Sequence, residues 1–366
     1  GGRACRPGEG NLKGYQHWSQ PYKHVPVKLA DTYGSPPGWR RRSDPFPSHR
    51  YASLVEMAKS RLRDNFVLLC AADFDFRLLA LNWYRAAAKV GVENHLVHSL
   101  DGDVLSFLRG RGVATSNGTA GLNAWVDPTS RLRRHIQRAL AERHMAAAAL
   151  VKEGISVLLA DSSAVVLKPV APFFIDTMSR GTPPEIMAMR GGCGPNRKLG
   201  CDLLWNFLFL RGAGPGDSRV LEYIHGAISK GLIDFYLRWW SGHHCIDSNG
   251  YTKALKDSGK PRLEGGLTAE ANALEPQKTA IVTLRGAGGL RLAMLPSNLF
   301  PNAGSFTGGR ATRAEALVGR VVRPDQDPAR SHRLRLDRYD EVDFEQMRAA
   351  MVSAGLWVLL PSDEAI

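Results

Sequence analysis

The stretch that most limits what this chain can fold into runs from Gly154 to Pro172, GISVLLADSSAVVLKPVAP. A helix-stopping glycine precedes Ile155–Ala160, a short apolar run that reads as a buried strand. Strands apolar on both faces belong to sheets covered by helices, so this run points to an α/β fold. Asp161, Ser162 and Ser163 then place small polar side chains where the strand ends. In open α/β sheets that is where ligands bind. An acid there suits a ribose hydroxyl, or a metal that neutralises a diphosphate. A second apolar run, Ala164–Leu167, is closed by Pro169.

The same grammar recurs upstream. Tyr51–Arg63 has a helical pattern, and Phe66–Cys70, FVLLC, is a short buried strand ending at Ala71-Ala72-Asp73. Phe76–Val90 is a helix by period, with Leu79, Trp83 and Ala87 on one face and Gly91 as its stop. His95–Leu100 is a strand that runs into Asp101. Strand, helix, strand in so short a span is a parallel pair with a right-handed crossover. Residues 112–126 read as a Gly/Asn/Thr loop, and Asp127-Pro128 starts a helix that runs to Glu153. Further strands are expected at Ile186–Met189, Ala280–Leu284 and Leu290–Leu295. Helices are expected at Ser218–Ile233 and Asp343–Ala354, and a polar surface insertion at 258–279. Leu203–Leu210 is a long apolar run broken only by Asn206. Residues 51–366 thus read as one α/β domain with a mixed, mostly parallel central sheet flanked by helices. Residues 1–50, rich in Gly, Pro and Arg without periodicity, read as an extended basic stem.

With 366 residues, 44% hydrophobic and 23% charged, the composition is that of a globular protein. No run of 18 apolar residues exists to span a membrane. The net charge of +13 favours anionic partners, among them a nucleotide diphosphate. Against nucleic acid stand the absence of zinc-finger spacing, of an RNP-type motif and of a long basic helix. The Arg40-Arg41-Arg42 cluster lies in a Pro-rich segment and reads as a solvated linker. None of the five cysteines forms a CxxC pair, which argues against structural zinc. Cys193 and Cys201 flank CGPNRKLGC and are able to close a disulfide in an oxidising compartment. Cys70, flanked by apolar residues, reads as a core thiol. Gly286-Ala287-Gly288 lacks the third glycine of a dinucleotide fingerprint, and Gly191–Gly200 lacks the Lys-Ser/Thr ending of a P-loop.

Three acidic patterns close strands: Asp73-Phe74-Asp75, Asp101-Gly102-Asp103 and Asp161-Ser162-Ser163. Each alone is readable as a loop start or helix cap. Together they suit a nucleotide site, with one acid at the base or ribose and another near the diphosphate.

In order, the chain carries AADF, Leu81-Asn82-Trp83, Leu100-Asp101, the Leu158–Val166 segment, DLLWNFLFLR from Asp202, DSNGYTKAL from Asp247 and LFPN from Leu299. This order and spacing, over roughly residues 60–360, resembles the nucleotide-diphospho-sugar transferase domain of glycosyltransferase family 77. That resemblance implies a GT-A fold, Rossmann-like, and a UDP-sugar donor transferred with retention to a hydroxyl of a glycan or glycoprotein. It also implies a type II membrane anchor ahead of this piece and residence in the Golgi lumen. Carried onto this sequence, the resemblance makes Asp73, Asn82, Asp101, Asp161, Ser163 and Arg323 nucleotide-sugar contacts, and Asp161, Asn206 and Asp247 the catalytic set. Two departures stand out. Where the family usually carries D-x-D, this chain has Asp161-Ser162-Ser163, which leaves Asp161 as the expected metal ligand. Where the family has a Val-Val-His-type segment, this chain has Val321-Val322-Arg323. Binding of Mn²⁺ or Mg²⁺ is therefore expected to be weakened or absent, since both prefer charged oxygen ligands. Two readings follow: Arg323 replaces the ion on the diphosphate, or the domain has lapsed into a glycan- or nucleotide-binding module.

Overall fold

The computed structural model describes residues 48–119, 134–193, 199–213, 219–224, 261–284, 289–301, 314–320 and 344–364. Expectations for the stem up to residue 47, for Asp247 and for Arg323 lie outside the described residues.

A 3-10 turn, Ser48–Tyr51, leads into α1 (Ala52–Arg61) and then β1 (Phe66–Ala72). A second 3-10 turn, Phe74–Phe76, and α2 (Arg77–Lys89) return the chain to β2 (His95–Ser99). β1 and β2 pair in parallel, Leu68 beside His95 and Ala72 beside Ser99, as the sequence predicts. The end of α2 shows why the helix stops there. Gly91 sits at φ 78°, its N–H donating to the Ala88 carbonyl while Val92 N–H donates to that of Ala87. This pair of bonds satisfies the last carbonyls, and the left-handed residue between them strongly favours glycine.

Next come α3 (Gly102–Arg109), β3 (Thr115–Asn117) and α4 (Arg134–Lys152). Gly154, at φ 79°, repeats the same closure on α4 and hands the chain to β4 (Ser156–Ala160). β5 (Val165–Val166), α5 (Ala171–Ser179), β6 (Ile186–Cys193) and β7 (Cys201–Leu210) follow. The later part holds β8 (Arg262–Leu263), α6 (Ala269–Leu274), β9 (Ala280–Leu284) and β10 (Leu290–Met294). β11 (Val318–Gly319), α7 (Phe344–Ser353) and α8 (Pro361–Glu364) complete the described chain. Residues 219–224 are helical, the described part of the helix expected at Ser218–Ile233.

The strand order is β3-β2-β1-β4-β7-β6-β10-β9-β8. β7 and β9 run against the rest, so the sheet is mixed and mostly parallel. Alternate residues of the central strands face two cores, the period-2 consequence of the pleat. Val67, Leu69, Val157 and Leu159 pack with α1 and α4 through Leu54, Ala58, Ala146 and Leu150. Phe66, Leu68, Cys70, Leu158 and Ala160 pack on the other face with Trp83 of α2 and Phe174 of α5. Phe174 stacks on Phe209 of β7 with ring centroids 4.9 Å apart. β5 and β11 form a separate two-stranded ribbon.

Three expectations are corrected. The 112–126 loop contains β3, a polar edge strand that β2 recruits in parallel. The 258–279 insertion is partly structured, with β8 on the sheet edge and α6 turning a fully buried Asn272 inward. The strand expected at Ile186–Met189 runs on to Cys193, so the flanks of the glycine-rich segment are strand ends. There Cys193 and Cys201 form a disulfide across β6 and β7, Cα atoms 4.0 Å apart. Beneath it the buried Arg190 donates to Cys201 Sγ at 3.4 Å, to Asn272 Oδ1 at 2.6 Å and to the carbonyl of Leu295 at 3.2 Å. Burial lowers the pKa of this guanidinium to about 10, so it stays charged at neutral pH.

Candidate functional site

Asp73 follows β1, Asp101 follows β2 and Asp161 follows β4, and these three strands are neighbours and parallel. All three acids therefore stand at one edge of the sheet, the carboxyl edge. Asp101 links two loops there: Oδ1 accepts from Val104 N–H at 2.8 Å, capping α3, and Oδ2 accepts from Phe74 N–H at 2.8 Å. Asp73 caps the 3-10 turn, Oδ1 accepting from Phe76 N–H at 3.2 Å. Both acids thus do the capping work that a single acidic pattern suggests, on top of any ligand role.

Asp161 is held differently. Its Oδ1 accepts from the backbone N–H of Ser163 and from the Ser163 hydroxyl, both at 3.1 Å. Its Oδ2 faces Arg143 of α4, whose Nη1 lies 3.9 Å away. The Asp161 side chain is 15% exposed and that of Arg143 6%. Cys70 lies in the core behind, its thiol pushed well up by burial first and by the Asp161 charge second. That makes it inert as a nucleophile, in line with a core role.

Asn206 belongs to this edge by register. β4 and β7 are antiparallel with Ala160 beside Phe207, the last pair between them, and Asn206 is the next residue along β7 toward that edge. Against β6, Ala188 pairs with Leu208 while Met189 pairs with Leu204. Residues 205–207 therefore form a bulge, a device that redirects a strand and is common beside functional sites.

Asn82 is placed elsewhere. It is fully buried in α2, where its amide N–H donates to the Leu356 carbonyl at 3.0 Å and its oxygen accepts from Val358 N–H at 2.7 Å. It braces the C-terminal segment, which removes it from the nucleotide set.

A divalent ion does not fit the described residues. Ser163 offers a neutral hydroxyl where a charged oxygen is preferred, and a guanidinium stands 3.9 Å from one Asp161 carboxylate oxygen, where a second cation would be repelled. Among the described residues no three of His, Cys, Asp and Glu converge as metal ligands.

Arg143 was not singled out from sequence. Its only signal is a cation in the last turns of the helix that precedes the Asp161 strand. A second unread feature is a buried network nearby. His98 of β2 contacts Ser116 Oγ through Nδ1 at 2.9 Å and Glu142 Oε1 through Nε2 at 3.2 Å. Tyr51 donates to the other Glu142 oxygen at 3.1 Å. Two histidines in a strand whose burial is complete, HLVHS, are the sequence signal for it.

No family model matches this chain, and no curated protein matches it. Among solved structures it is similar to the galactosyltransferase LgtC, solved with donor and acceptor sugar analogs. The identity is 13% over 81% of this chain and 98% of LgtC, with a TM-score of 0.37. It is also similar to the glycosyltransferase GlyE of Streptococcus pneumoniae TIGR4, at 11% identity over 80% of this chain and 64% of GlyE, with a TM-score of 0.39.

Proposed function

We propose that this chain is a GT-A-type glycosyltransferase that binds a UDP-sugar at the carboxyl edge of its sheet and transfers the sugar to a hydroxyl of a glycan or glycoprotein. The observation that carries the reading is Asp161, buttressed by Ser163 and Arg143 at the end of the central strand, with Asp73 and Asp101 on the neighbouring strands. A fixed, partly exposed carboxylate suits ribose hydroxyls, which donate to it. In the transfer, the bond from the anomeric carbon to the UDP oxygen breaks and the acceptor oxygen bonds that carbon. The acceptor proton passes to the departing diphosphate, and donor and acceptor share one face, which gives retention. The chain's work is then positioning, and the bulge at Asn206 supports a role for that strand in aiming the sugar. Charge on the leaving diphosphate is offset by fixed cations, Arg143 behind Asp161 and Arg323, with no divalent ion. The Cys193–Cys201 disulfide supports a secretory, Golgi-type compartment.

A lapsed transferase that only binds is favoured by one observation: Asp73, Asp101 and Asp161 each already accept from the chain's own donors. UDP-sugar hydrolysis with Mn²⁺ and with chelator, in wild type and Asp161→Asn, separates the two. Turnover that survives chelation and vanishes in the variant supports the enzyme. UDP binding without turnover supports the module, and the loss of both overturns the site.

A further inference from the structure

The disulfide that closes β6 onto β7 stands at the carboxyl edge of the sheet, since β6 runs with β4 and β7 runs against both. Its two sulfurs have different surroundings. Cys193 is an exposed residue, whereas Cys201 is buried at 3% exposure. Against the buried sulfur lies Arg190, itself 1% exposed, with Nη1 at 3.4 Å from Cys201 Sγ. The other groups that accept from this guanidinium are neutral oxygens: the Asn272 side chain and carbonyl, and the carbonyls of Leu295 and Lys278. Among the described residues no carboxylate meets it. The charged side chains of the packed element, α6 and the turn after it, do not supply one. Glu270 is exposed, and Glu275 pairs with Lys278 at 2.8 Å on the surface. The Asn272 carbonyl faces Cys201 Sγ too, at 3.8 Å, but it lies farther off than the guanidinium and carries no net charge.

A buried cation with only dipoles around it is the costly half of an ion pair. In the oxidised chain Cys201 is a neutral sulfur and offers no counter-charge. Breaking the S–S bond turns it into one. Burial by itself works against a thiolate, as Cys70 shows, its thiol pushed well up by desolvation first. At Cys201 the desolvation of the guanidinium is already part of the fold, and a thiolate at contact recovers it. A thiolate beside an arginine is stabilised, so its pKa falls below that of an ordinary thiol. Thiol–disulfide exchange needs an accessible sulfur to attack, and it speeds up as the leaving thiol becomes more acidic. The two requirements are met by different sulfurs here: Cys193 is open, and Cys201 has the cation.

We propose that Cys193–Cys201 is a reversible thiol-exchange site, opened by a low-molecular-weight thiol of the glutathione class. The attacking thiolate bonds to Cys193 Sγ, the S–S bond breaks, and its electron pair leaves on Cys201 Sγ as a thiolate against Arg190. A second thiol then displaces Cys193 Sγ, which takes a proton from solvent. Two thiols are thereby oxidised to one disulfide for each bond opened. The site stands independently of the transferase reading. The test treats the intact folded chain with reduced glutathione, quenches with acid and maps the peptides by mass spectrometry. The adduct is expected on Cys193, with Cys201 free. Arg190→Gln is expected to slow opening about tenfold, and Arg190→Lys, which keeps the charge, to restore most of the rate. In Cys193→Ser, thiolate absorbance read against Cys193→Ser/Cys201→Ser is expected to place the Cys201 pKa below the usual value of about 8.5. Should Arg190→Gln fail to fold, that titration decides alone. An adduct on Cys201 overturns the proposal, as does a bond that glutathione opens only in the urea-unfolded chain. An Arg190→Gln rate equal to wild type, or a Cys201 thiol that titrates at or above the usual value, overturns it equally.

Discussion

Two carboxylates on the same sheet show how a buried acid serves structure and how it serves a site. Glu185 stands just before β6, at the amino edge of the sheet. It is 4% exposed, and Oε2 accepts from Arg291 N–H at 2.7 Å, while Oε1 meets Arg211 at 3.3 Å and Arg219 at 3.1 Å. Asp161, at the carboxyl edge, has one serine on one oxygen and a guanidinium at 3.9 Å from the other. The first acid is saturated by strong donors and ties three segments together. The second is oriented by its own turn and keeps an exposed edge, its side chain 15% accessible. Orientation with an exposed edge is what a binding carboxylate needs.

The largest effect should come from breaking the saturated acid. Glu185→Ala leaves Arg211, Arg219 and an N–H without their acceptor, and should cost about 3–4 kcal/mol by urea unfolding. A cost below that of Asp161→Asn would dissolve the contrast.

Next comes the buried, charge-free end of the scale. The unfolded chain protonates His95 near pH 6.5 and the folded chain only near pH 4, because burial disfavours the imidazolium. Stability should therefore drop as pH falls from about 6.5 to 4 and draw no further loss from this group below that. The total is about 3 kcal/mol. The slope over that window should flatten in His95→Gln, and an unchanged slope would remove His95 from the account.

Asn82→Ala should cost about 2 kcal/mol by losing both bonds to the C-terminal segment, with hydrogen exchange rising first around 356–358. Asp161→Asn should be the mildest change to the fold, about 1–2 kcal/mol, because the amide oxygen can keep the serine bonds while the buried Arg143 loses a charge 3.9 Å away. The same change should abolish UDP-sugar turnover. If it unfolds the chain instead, Asp161 is a second Glu185.

Much of this frame was legible because period and punctuation agree locally. Phe66–Cys70, Phe76–Val90 and His95–Leu100 carry an apolar run, a helical stripe and a glycine stop, and each settles one element without help from afar. β3 was not legible, since Thr-Ser-Asn has no apolar pattern and becomes a strand only because β2 offers an open edge. α6 was missed for a related reason. Its one inward residue is Asn272, whose burial depends on Arg190 and the Leu199 carbonyl, far away in sequence. At the site, the strand-end acids could be read directly, and so could their double life as caps. Arg143 could not, because its role depends on which face of α4 meets the end of β4. Asn82 misled for the opposite reason: a polar residue beside a buried Trp suggested a ligand where the chain needed a clasp.

The turn at Gly154 sets the frame of the strand that follows it. With the helix end fixed on one side and the Asp161 turn on the other, β4 has no slack in its reading frame. Inserting or deleting a single residue between them would swap the side chains assigned to the two cores and rotate the acid to the wrong side of the layer. Natural variants of this chain should therefore differ in length almost anywhere before they do so between positions 154 and 161.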